Sequence, residues 1–87
     1  MVTRELKITN PTGLHFRPAG LLCNEAIKFK SKIMYKYGDN EANAKSVLSV
    51  LGSGVKSGTT LLFTCEGEDE EEAMEAIAAI IESGLGE

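Results

Sequence analysis

The chain has 87 residues, 43% of them apolar and 25% charged, with a formal net charge of −4. This is the composition of an ordinary folded globule, which excludes a disordered chain or a membrane bundle and argues against nucleic acid as the main partner. The length fits one domain over 1–87 and leaves no room for a second.

The N-terminal segment Met-Val-Thr-Arg-Glu-Leu-Lys-Ile lacks a secretory apolar core, and no apolar run approaches a membrane span, so a cytoplasmic chain without membrane insertion is expected. Cys23 and Cys65 lie far apart in apolar patterns and have no second pair. Two reduced core thiols are expected, with no metal site, no disulfide framework and no cofactor.

Val2, Leu6 and Ile8 alternate with polar residues as a first strand whose pattern Arg4 interrupts, and the strand ends at a turn around Asn10. Ala19, Leu22, Cys23, Ala26 and Ile27 then recur at helical spacing, which predicts a helix from about Phe16 to Phe29 with those residues inward. Ile33, Tyr35 and Tyr37 mark a second strand, and Gly38-Asp39-Asn40 turns into a weaker third strand near Glu41 to Ala44.

Ser46 is placed to cap a short helix of Val47 to Leu51 that Gly52 and Gly54 end. That helix has more apolar residues than it can bury, so part of Val47, Leu48 and Leu51 is read equally as core or as a docking surface. Leu61, Phe63 and Cys65 give a fourth strand within Thr59 to Glu66. Asp69 and Glu72 resemble a capping box before a last helix with the stripe Ala73, Ala76, Ile77, Ile80 and Ile81, closed by Gly84. The acidic run Glu68 to Glu72 is read as a solvated helix start. The order β-α-β-β-α-β-α with short connections predicts an α+β fold: a four-stranded antiparallel sheet with three helices on one face.

The stretch Asn10-Pro-Thr-Gly-Leu-His-Phe-Arg-Pro-Ala-Gly20 contains the chain's only histidine. Pro18 suits the first turn of a helix, so the helix begins just after His15. The first backbone N–H groups of a helix have no partner within it, so those of Phe16 and Arg17 are free to face an anion beside the imidazole. The helix dipole adds roughly half a positive charge, and Arg17 adds a forked guanidinium suited to phosphate oxygens. An imidazole nitrogen is a nucleophile, so the grouping suits a phosphohistidine. On residues alone, an unreactive surface histidine or helix cap is an equal reading.

The stretch Gly13-Leu14-His15-Phe16-Arg17-Pro18-Ala19 resembles the active-site motif of the HPr family, the histidine-containing phosphocarriers of the bacterial sugar phosphotransferase system. The usual form is Gly-Leu/Ile-His-Ala-Arg-Pro-Ala, from which only Phe16 departs. The resemblance extends through Asn43-Ala44-Lys45-Ser46-Val47 and Ser83-Gly84-Leu85-Gly86-Glu87. It implies an open-faced β-sandwich with strand order 1-4-2-3.

It further implies that His15 accepts a phosphoryl group on Nδ1 from enzyme I, charged by phosphoenolpyruvate, and passes it to enzyme IIA domains, without being an enzyme itself. Arg17 would pair with the phosphoryl oxygens. Ser46 matches the regulatory serine that an HPr kinase/phosphorylase modifies in the Gram-positive branch, with a catabolite-control transcription factor as the further partner. Partners are expected to dock a monomer on Phe16, Val47, Leu48 and Leu51, with Lys45 at the rim. Ser49 and Gly20 also depart from common residues. The alternatives are a phosphocarrier of the nitrogen-related branch, against which Lys45-Ser46 speaks, and a non-catalytic ferredoxin-like binding module.

Overall fold

The computed structural model describes residues 1–87. Strands β1 (Val2–Lys7), β2 (Lys32–Tyr37), β3 (Asn40–Asn43) and β4 (Thr60–Glu66) alternate with helices α1 (Phe16–Ala26), α2 (Val47–Ser53) and α3 (Glu70–Glu82). All strand pairs are antiparallel, in the order β1-β4-β2-β3. The result is an α+β open-faced sandwich, with the element order and strand order expected.

The period-2 pattern sends Leu6, Ile33, Tyr35, Ala42, Leu61, Phe63 and Cys65 to the helix-covered face, where all are buried. The rings of Tyr35 and Phe63 lie 5.1 Å apart at 39°, filling the middle of the layer. Met74, Ala78 and Leu85 join the core although the sequence reading did not single them out. Arg4 interrupts the first strand's pattern for a visible reason: it lies between Glu75 and Glu82 of α3, with Nη1 to Glu75 at 3.4 Å.

Several sequence expectations need correction. Helix α1 stops at Ala26, not near Phe29, because Lys28 N–H donates to Glu25 and Phe29 N–H to Ala26, three residues back, and this tighter winding rotates the chain. Ile27 still follows regular helical winding, which at 100° per residue sets it beside exposed Phe16 and about 140° from buried Leu22, so it is 57% exposed while half-buried Phe29 packs on the core in its place. Cys23, expected in the core, is half-buried at the α1 surface, with Sγ 3.1 Å from the Lys45 carbonyl. Gly52 lies within α2, and the left-handed residue that ends the helix is Gly54.

The capping box at α3 does not form. Asp69 accepts instead from the N–H groups of Lys30 (2.8 Å) and Ser31 (2.9 Å) and from the Ser31 hydroxyl (2.5 Å), so it ties the α1–β2 connection to α3. Glu70, not Glu72, reaches back to the Gly67 N–H.

Past α3 the backbone coils through three positive φ angles, at Gly84, Leu85 and Gly86. Leu85 is the one non-glycine residue in that region, a conformation costing about 1–2 kcal/mol. Burial of its side chain, worth about 1.5–3 kcal/mol, offsets that cost.

Candidate functional site

Two residues before His15 fix its place. Gly13 has φ +69, and a Cβ there would meet the Val55 carbonyl oxygen at 2.5 Å and the Lys56 Cα at 2.8 Å, so only glycine fits. Leu14 is buried and its N–H donates to the same Val55 carbonyl at 2.9 Å. With the chain pinned on one side, His15 follows as the exposed N-cap residue of α1, in extended conformation, making no side-chain cap bond.

Its carbonyl accepts the Ala19 N–H at 2.8 Å, which closes the first helical turn, and Pro18 is buried within that turn. The N–H groups of Phe16 and Arg17 donate to nothing. They stand open at the positive end of a helix of 11 residues, next to the imidazole. The Phe16 ring is 70% exposed and meets the imidazole edge-on, with ring centres 4.7 Å apart. Arg17 is exposed and makes no ion pair.

The second group of expected residues surrounds the start of α2. The Ser46 hydroxyl accepts the Ser49 N–H at 3.2 Å, the cap that the sequence predicts. The Ser49 hydroxyl is itself taken, accepting from Asn43 N–H at 2.9 Å. Val47 is 39% and Leu48 79% exposed, whereas Val50 is buried and Leu51 packs half-buried against the core. Lys45 is half-buried, its ammonium donating to the Phe29 carbonyl at 2.6 Å, so this charge is already engaged in the turn that follows α1.

That bond and the Cys23 contact fasten the start of α2 to α1. The sequence reading also passed over a stripe on α1: Phe16, Gly20 and Ile27 fall within about 40° of one another at 100° per residue, and Gly20 has open space around it. Helical spacing alone could have shown it, had Ile27 not been assigned to the core.

A third set of residues near His15 was also missed. The Glu87 carboxylate accepts from Asn10 Nδ2 (3.0 Å), Thr12 N–H (3.0 Å) and the Thr12 hydroxyl (2.7 Å). Those donors, the Thr12 amide first, and then the charge of Arg17 hold its carboxyl below the usual range. No sequence signal marks a pairing across so many residues.

The surface hollows lie elsewhere. They are lined by Lys32, Met34 and Lys36 on the open sheet face, by Arg4 and Met74 at the β1–α3 seam, and by residues 67–72. No three His, Cys, Asp or Glu side chains group to hold a metal. No helix is long and apolar enough to cross a membrane.

Fold and site together define a small α+β protein that displays one histidine at a bare helix start, outside any pocket. A family model, described as the HPr component phosphorylation site of the phosphotransferase system, matches residues 2–83. The chain belongs to the HPr phosphocarrier family of that system.

It is 40% identical over 82 residues to the HPr-like protein Crh of Halalkalibacterium halodurans, covering 94% of this chain and 98% of that one. Against the phosphocarrier protein HPr of Lysinibacillus sphaericus it is 39% identical over 88 residues, covering 100% of both. The crystal structure of HPr-C-His from Thermoanaerobacter tengcongensis superposes with a TM-score of 0.96 at 41% identity, over 100% of this chain and 98% of that one. An HPr dimer from the same organism gives 0.80 at 43% identity, over 94% of each chain.

Proposed function

We propose that residues 1–87 act as a single phosphocarrier domain in which His15 takes a phosphoryl group from enzyme I and gives it to enzyme IIA domains during sugar uptake. The observation that carries this reading is the pair of unengaged N–H groups, of Phe16 and Arg17, beside an exposed imidazole. In the step proposed, His15 Nδ1 attacks phosphorus, the bond from phosphorus to the donor histidine nitrogen breaks, and that nitrogen regains its electron pair. The two N–H groups and the Arg17 fork hold the equatorial oxygens as charge shifts across them. A histidine on open surface suits exchange with another protein's histidine better than capture of a small substrate, which pockets serve. The domain is thus a carrier and not an enzyme.

Phe16, Val47 and Leu48 supply exposed apolar anchors for these brief encounters, with Leu51 behind them and Lys45 at the edge. Ser46, at the cap of α2, is the proposed regulatory site for an HPr kinase/phosphorylase, its phosphorylated form binding a catabolite-control transcription factor. The domain works as a cytoplasmic monomer in this reading. Incubation with enzyme I and labelled phosphoenolpyruvate tests it. Acid-labile phosphate on His15 is expected, while an unlabelled chain, or a His15→Ala variant that still takes label, overturns the assignment.

A further inference from the structure

The phospho-accepting turn is held from two directions, and only one of them belongs to the loop's immediate surroundings. On one side Gly13 and Leu14 lean on Val55. On the other, residues 84–87 come from the far end of the sequence and close over the turn.

Gly86 lies against α1 so tightly that a Cβ there would stand 2.7 Å from Leu21 Cδ1 and 3.7 Å from Arg17 Nε. One residue on, the Glu87 carboxylate receives all three donors that the turn offers it. Oε1 accepts from Thr12 N–H and Asn10 Nδ2, and Oε2 accepts from the Thr12 hydroxyl. Asn10 is itself buried, and its Nδ2 also donates to the Gly13 carbonyl at 2.8 Å, so Glu87 and the residue two before His15 share one amide group. Two acceptors on Nδ2 fix which way that amide faces, at the expense of leaving Asn10 Oδ1 buried with no partner.

The three consecutive positive φ angles of Gly84, Leu85 and Gly86 are what bring Glu87 to this place, and buried Leu85 anchors the bend. Backbone strain and a converging set of donors thus coincide at one carboxylate beside His15.

We infer that Glu87 is a positioning residue for His15, its side chain strapping the Asn10–Gly13 turn against the first turn of α1. It acts through the turn and touches neither the phosphoryl group nor the imidazole. Transfer between two histidines needs the ring nitrogen in line with the breaking bond, and a slackened turn loses that alignment without losing the docking surface. The inference rests on His15 being the phospho-acceptor.

The test is the rate of transfer from phosphorylated enzyme I to the whole chain, measured against donor concentration for the wild type, Glu87→Ala, Glu87→Gln and Thr12→Val. Glu87→Ala is expected to lower the maximal rate about tenfold while the half-saturating concentration stays within about twofold, as loss of alignment and not of docking requires. Glu87→Gln removes the charge but keeps the strap, because its carbonyl still accepts both N–H donors and its amide donates to the Thr12 hydroxyl oxygen. It is expected to keep most of the wild-type rate.

Thr12→Val takes away one exposed hydroxyl and disturbs no packing, so it serves should Glu87→Ala unfold. Its rate is expected to fall about threefold, the loss of one modest hydrogen bond. Wild-type rates in both Glu87→Ala and Thr12→Val overturn the strap alone, as does a Glu87→Gln loss equal to that of Glu87→Ala. A wild-type chain that takes no phosphate at all overturns the phospho-acceptor reading and this inference with it.

Discussion

In the transfer proposed, Arg17 and the backbone beside it would divide the handling of charge at His15 between a fixed part and a movable one. The N–H groups of Phe16 and Arg17 are set by the helix and cannot turn away, whereas the guanidinium is exposed and unpaired. Phe16 in place of the family's usual alanine leaves that N–H untouched and alters only what protrudes. Arg17→Lys keeps the charge but replaces a two-pronged donor with a point charge, forfeiting one charge-assisted hydrogen bond. Such a bond is worth about 1.5 kcal/mol at an exposed site, so transfer to His15 should slow about tenfold. Rapid-quench measurement with phosphorylated enzyme I checks this, and equal rates for the two side chains would show that the fork is irrelevant.

Helix α2 is short, and its outer face is built around exposed side chains. Only Val50 is fully buried, so Val47 and Leu48 are free to meet partners while the Ser46 cap holds the first turn. Phosphorylation of Ser46 would add about −1.5 to −2 charges in the middle of that apolar face. The fold should persist, because Val50 and Leu51 stay packed, and the loss should fall on docking. Binding of enzyme I to the Ser46-phosphorylated chain should weaken by at least about tenfold, and Ser46→Asp, with less charge and no phosphate oxygens, should weaken it less. Titration calorimetry together with an amide spectrum decides the matter. Unchanged affinity, or a melted α2, contradicts this account.

Long-range carboxylates fasten the layers of the molecule. Asp69 joins α3 to the chain entering β2, and Glu87 joins the segment after α3 to the turn before α1. Both are held below their usual carboxyl range, Asp69 first by the Ser31 hydroxyl and then by the Lys30 N–H, Glu87 first by the Thr12 N–H. A depressed folded-state value means stability that is fully present above the unfolded value, 3.8 for Asp69 and 4.5 for Glu87. That stability is lost as pH falls through the lower folded value. The melting temperature should therefore be flat near neutrality and drop below about pH 4. Asp69→Asn should melt lower than the wild type at pH 7 and show a shallower acid decline; parallel melting curves for the two down to pH 2 would rule out Asp69 as a source of that decline.

The element order was legible because periodicity is local. Alternation in Leu61, Phe63 and Cys65, or helical spacing in Ala73, Ile77 and Ile81, depends on neighbours a few residues away, and these residues are buried as expected. The Ser46 cap and the helix start after His15 were legible for the same reason. Strand order 1-4-2-3 came through family resemblance, since short connections and alternation fit more than one arrangement.

Helix α1 ended early because the backbone winds more tightly past Ile27, which apolar spacing does not encode, whereas the outward face of Ile27 follows from helical spacing itself. Asp69 looked like a cap because its sequence neighbours are a helix start, but the stronger donors, Lys30 and Ser31, are brought beside it by the packing of one layer on another. Glu87 had no signal at all, for its donors lie 75 and 77 residues away. Sequence specified the exposed histidine and the helix start that presents it through turn residues and free N–H groups. The folded chain alone decided that Glu87 meets the turn before that histidine, because a carboxylate reaches donors that distant only after the core has brought the two segments together.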